Sequence, residues 1–158
     1  VGGVIADKLG CAIVTLLTFI AMIAAVVGML MFIPHNGVGG NFTMFLAMFL
    51  VLFTLTGIGN ASTFRMIPVI YLTEHQRAAV GRSSAQINMD AAKESAAALG
   101  FAGALGAYGG FFIPKMFGTS IAMTGSVDGA LYAFIAFYLT CVVVTWQFYA
   151  RKNAEMPC

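Results

Sequence analysis

From Phe42 to Leu72 the chain runs for thirty-one residues with Arg65 as its only formal charge. As a helix this run measures about 46 Å, more than the roughly 30 Å hydrocarbon core of a bilayer. A charge inside such a run is costly and rarely sits there without a role. Around Arg65 stand Gly57, Gly59, Asn60, Ser62 and Thr63, small or polar where a plain anchor would carry Leu and Val. Helical spacing puts Thr56, Asn60, Thr63, Phe64 and Ile67 on one face and turns Arg65 about 100° away from Phe64. Pro68 has no amide hydrogen, so the Phe64 carbonyl loses its usual donor and the helix can bend there.

The whole chain has the same character. Of its 158 residues 60% are hydrophobic and 9% charged, against about 25% charged in a soluble domain. This composition predicts an all-α integral membrane protein. The net charge of +2 is too small to suggest a nucleic-acid partner. Cys11, Cys141 and Cys158 form no CxxC pair, so neither a disulfide framework nor a zinc site is indicated. His35 and His75 flank apolar runs rather than sitting inside them, which argues against a haem held between helices. No cofactor and no metal is expected.

Four segments are long enough to span: 11–33, 42–72, 96–114 and 129–150. Pro34 and the glycine-rich stretch Asn36–Asn41 close the first. The polar stretch 73–95 is read as a loop with partial helix, either an extension of the third span or an interfacial helix. A second loop covers Lys115–Asp128, with Asp128 capping the fourth span. Lys8, Arg77, Arg82, Lys93, Arg151 and Lys152 fall on one side and Lys115 on the other. The excess puts both ends and the 73–95 stretch in the cytoplasm. Tyr132, Trp146 and Tyr149 suit the interfacial aromatic belts. The chain opens on Val1 with no signal-peptide n-region, and is expected to be a C-terminal fragment of a longer protein.

The third span carries the second distinctive pattern. Gly100, Gly103, Gly106 and Gly109 recur every three residues, with Gly110 adjacent. Each glycine weakens an isolated helix by about 1 kcal/mol relative to alanine; in a membrane the return is close approach of another backbone. Simple tight packing is the plainer reading, and a gating helix the sharper one. For Arg65 the plainer reading is snorkelling to the headgroups, the sharper one contact with an anion. Asn60 and Thr63 suit either a bond to a neighbouring helix or a substrate path. Near the start, Asp7 precedes a span and can cap it, while Gly10 allows a tight turn.

Here a resemblance enters. Gly3-x-x-x-Asp7-Lys8-x-Gly10 resembles the short cytoplasmic loop motif of the major facilitator superfamily, although Cys11 stands where a further base is usual. G-I-G-N-A-S-T-F-R-M-I-P at Gly57–Pro68 and A-L-G-F-A-G-A-L-G-A-Y-G-G-F-F-I-P-K at Ala98–Lys115 are similar to segments of the NarK-type nitrate/nitrite porters. The second resembles that family's glycine-rich nitrate signature. The resemblance implies that the four spans are helices nine to twelve of twelve, in a multi-pass protein of the inner (plasma) membrane. It implies nitrate or nitrite transport by alternating access between two six-helix halves, not an enzyme activity. Phe64 matches an aromatic position beside the planar anion, and Gly100, Gly103, Gly106, Gly109 and Gly110 would let their helix rock past its neighbours. The family's anion-clamping arginines lie in helices two and eight, outside this chain, so Arg65 and Pro68 fit a gate or domain contact. Partners would be the anion, the lipid bilayer and the missing N-terminal helices.

The residues themselves agree with a planar, weakly basic anion. Asn60 and Thr63 offer donors, Phe64 a ring, and Gly103 and Gly106 a smooth wall. None of the four spans holds an acidic residue, which leans toward anion exchange or protonation elsewhere. The alternative from another class is a self-standing four-helix scaffold associating through its glycine face. The spans lack the paired carboxylates and nucleophile–base sets of a membrane enzyme.

Overall fold

In the computed structural model, residues 11–34, 39–79, 81 and 83–151 are described. Four α-helices follow one another: α1 Cys11–Phe32, α2 Phe42–Arg77, α3 Ser84–Thr124 and α4 Asp128–Thr145. A π-helical turn, Trp146–Ala150, continues α4. All four helices are long and apolar enough to cross a membrane. The loop motif Gly3, Asp7, Lys8 and Gly10 lies outside the described residues, as do His35, Arg82, Lys152 and Cys158.

Local chemistry sets the helix ends, and it corrects several expected boundaries. The Asn41 side chain accepts from the Met44 amide at 3.2 Å and starts α2. Ser83 and Gln86 form a reciprocal capping box, so α3 begins twelve residues before the expected span. The stretch 73–95 is therefore mostly helix: α2 runs on to Arg77 and α3 already starts at Ser84. Of the two forms expected for its helical part, the extension of the third helix is the one found. Nor does Pro114 end α3, which continues to Thr124. The stop is Gly125, left-handed at φ 72°, whose amide donates to the Ile121 carbonyl at 2.8 Å. The expected loop 115–128 shrinks to the turn 125–127. Asp128 is not the cap of α4 but its first helical residue. Its own amide donates to the Ser126 hydroxyl at 3.3 Å, so the cap chemistry sits in the turn.

Helix α1 is the centre of the bundle and packs against both α2 and α4. Val26 and Met29 of α1, and Ile33 just past its end, cluster with Leu131 of α4, and Phe45 and Met48 of α2 pack against them. Toward the other end Val14 of α1 meets Met66 of α2, with Tyr149 of the π-helical turn covering the pair. Between these clusters α1 and α2 lie close together at Gly59, where a Cβ would lie 3.2 Å from Thr18 Cγ2. One turn on, the Thr15 and Ser62 hydroxyls share a buried hydrogen bond of 2.9 Å. Ser62 is 0% exposed. Ser62→Leu is thus expected to destabilise the intact protein by about 1–3 kcal/mol through overpacking. Ser62→Ala should lose about 0.6–1.7 kcal/mol, the range for such bonds between membrane helices. Thermal unfolding in detergent checks this, and equal melting temperatures for Ser62→Leu and the unsubstituted protein would contradict the contact.

The threonines inside these helices bond backward. Thr18, Thr54, Thr56, Thr63 and Thr140 each donate a hydroxyl to the carbonyl four residues earlier, at 2.7–3.0 Å.

Candidate functional site

Helix α3 touches its neighbours near its two ends. Its first turns, with Ala91 and Ser95 buried, lie against the last turns of α2. At the far end Phe117 packs its ring 5.6 Å from Phe134 of α4, and a Cβ on Gly129 would lie 3.0 Å from Ser120 Oγ. Between those contacts the helix is almost entirely exposed. The glycine run occupies that middle stretch. A Cβ at Gly100, Gly103, Gly106, Gly109 or Gly110 would meet nothing within 4 Å. The expectation that these glycines pack tightly on another helix is therefore not met within this chain. The reason is geometric: α3 rests on α2 at one end and α4 at the other, and its middle bridges the gap.

Asn60 and Phe64 sit on α2 with their side chains exposed, Phe64 at 40%. The face they occupy is informative. By the helical period Asn60, Phe64, Ile67 and Tyr71 are in line. Ile67 and Tyr71 border a crevice whose other wall holds Glu94 and Ala98 of α3. Asn60 and Phe64 thus continue the α3-facing side of α2 above the point of contact. Counted from Tyr71 and Ala98 at 1.5 Å per residue, Phe64 and Asn60 rise to roughly the levels of Leu105 and Gly109. The sequence-predicted residues of α2 and α3 therefore border one open side of the bundle.

The other candidates behave differently. Thr63 is half-buried and donates its hydroxyl to the Gly59 carbonyl at 2.9 Å. In that rotamer it offers an anion only lone pairs, so the donor role falls to the Asn60 amide. Arg65 is exposed on α2, away from Phe64. Pro68 lies inside the unbroken α2. Lys115 stands on α3 with its Nζ 6.0 Å from the Phe111 ring centroid, within range of a cation–π contact.

One arrangement was not read from the sequence. His75 Nε2 of α2 lies 3.1 Å from Glu94 Oε2 of α3, beside Tyr71 and Tyr149 in the crevice of about 620 Å³. The two residues are nineteen apart on separate helices, and no local spacing announces the pair. The Ser83-x-x-Gln86 capping box, by contrast, is a legible signal for where α3 begins.

No family model matches the chain. Over 156 residues it is 48% identical to the nitrate/nitrite transporter NarU of Escherichia coli (strain K12), covering 97% of this chain and 33% of that protein. The NarU protein of Salmonella typhimurium is 46% identical over 98% of this chain. This chain is similar over nearly its whole length to part of two nitrate/nitrite transporters. It is also 28% identical, over its full length, to a probable nitrate/nitrite antiporter, NarK2, of Thermus thermophilus. The chain spans about a third of the length of the curated relatives it matches. The alignment with NarU runs across all four helices, so it takes in both the α2 face with Asn60 and Phe64 and the bridging glycines of α3.

Proposed function

We propose that this chain is the C-terminal part, helices nine to twelve, of a twelve-helix transporter that carries nitrate, nitrite or both across the inner (plasma) membrane by alternating access. The observation that carries the reading is the 48% identity to NarU over nearly the whole chain. The open side of the bundle supports it. Asn60 and Phe64 on α2 and Gly103 and Gly106 on α3 lie where the remaining helices of the transporter would close a path. Both ends and the α2–α3 connection lie on the cytoplasmic side, as the excess of Arg and Lys at Arg77, Lys93 and Arg151 over Lys115 favours. The Asn60 amide supplies donors to a bound anion, the Phe64 ring packs on its flat face, and the glycine wall moves past it.

The test is uptake by the intact protein in cells lacking their own nitrate and nitrite porters. Accumulation of either anion above the empty-vector level is the expected result. No accumulation of either, with the protein present in the membrane fraction, would overturn the proposal.

A further inference from the structure

The inner ends of α2 and α3 are joined by a short connection, residues 78–83, so they cannot drift apart. They can still change their mutual angle. Two soft points allow it. Pro68 lies two turns before His75 on α2 and leaves the Phe64 carbonyl without its helical donor. Gly100 lies six residues after Glu94 on α3, at the start of a stretch whose glycines meet no neighbour.

Between these soft points and the connection, a polar bond crosses from helix to helix. His75 Nε2 stands 3.1 Å from Glu94 Oε2, with the imidazole side chain 15% exposed and the carboxylate 57% exposed. The neighbouring Glu74 is engaged elsewhere, by Arg77 on its own helix at 3.5 Å. Behind the pair lies the crevice of about 620 Å³ whose walls are Ile67, Ile70, Tyr71, Ala98 and Tyr149. Its third wall comes from the π-helical turn, a rare form that recurs at functional positions. The crevice is mainly apolar, and the His75–Glu94 bond spans its mouth.

We propose that His75 and Glu94 form a latch that sets the angle between α2 and α3, and that releasing it opens the crevice to solvent. Because α3 carries the glycine wall, the angle set at the latch also sets how far Gly103 and Gly106 stand from Phe64 and Asn60. The proposal rests on the geometry of the two helix ends and holds whichever solute is carried.

The experiment uses the intact protein purified in detergent, in a background with every native cysteine, Cys11, Cys141 and Cys158 among them, replaced by alanine. Ala98→Cys, inside the crevice, is labelled with a hydrophilic maleimide and the rate followed by mass. His75→Gln or Glu94→Gln should each speed labelling by about fivefold, the effect of a partly exposed pair near the upper end of its usual range. The exchanged pair, His75→Glu with Glu94→His, should restore the slow rate. Met123→Cys, exposed at the far end of α3, should label at one rate in every background. Unchanged labelling of Ala98→Cys in the single variants would overturn the latch. So would an exchanged pair that labels as fast as the singles, or a parallel rise at Met123→Cys, which marks general loosening. The readout needs no transported anion, so it succeeds or fails independently of the uptake test.

Discussion

Gly106→Leu is expected to cut nitrate uptake by the intact protein about tenfold or more while leaving the fold of these four helices unharmed. Two facts make the expectation sharp. A Cβ at Gly106 meets nothing within 4 Å in this chain, so leucine has room here. Leucine also favours a helix over glycine by roughly 0.8–1 kcal/mol, so α3 itself gains. Any loss of uptake must then come from a surface that the chain does not contain and that approaches the glycine wall during transport. Overpacking such a contact costs about 1–3 kcal/mol, and about 1.4 kcal/mol is a factor of ten. Uptake is measured with labelled nitrate, and substrate-dependent thermal stabilisation reports binding separately. Normal uptake by Gly106→Leu would show that no tight moving contact forms at this position.

Phe64→Ala is expected to raise the KM for nitrate about tenfold with little change in melting temperature. Phe64 belongs to neither apolar cluster and is 40% exposed, so removing its ring takes little packing from the bundle. The site would lose the ring's contact with the flat anion, an effect of roughly 1.4 kcal/mol for each tenfold change. The same substitution at Phe134, which packs against the larger cluster, acts in the opposite way: it weakens the fold. Unaltered uptake kinetics in Phe64→Ala would remove the ring from the anion's path. The two outcomes are told apart by running the uptake assay and the thermal melt on one preparation.

How much of this was legible depended on the range over which each signal acts. Apolar length is a local property, and it located all four helices. The helix termini are also local, yet the expected start at Ala96 and stop at Pro114 both differ from the structure, where the Ser83-x-x-Gln86 box starts α3. In a long membrane helix a proline is tolerated, and the true stop is a left-handed glycine at position 125. The small and polar residues of α2 divide between faces with different neighbours. Gly59 and Ser62 turn inward to Thr18 and Thr15, while Asn60 and Phe64 turn toward the α3 side. A period of 3.6 tells which residues share a face but not which neighbour that face meets. His75 and Glu94 were beyond any such reading, since their meeting depends on how α2 and α3 are hinged. For the glycine run the pattern promised a close partner, and this chain does not supply one.

The backward-bonding threonines have a consequence for how these helices enter a bilayer. Thr54 and Thr140 are exposed on their helices, yet each hydroxyl proton is already given to a carbonyl of the preceding turn. Hydrocarbon outside therefore meets a methyl group rather than a thirsty donor, and the desolvation penalty of a bare hydroxyl is avoided. Side chains that look polar on paper are, to a lipid tail, close to valine, so helices that carry them can still slip into a membrane as readily as their aliphatic neighbours.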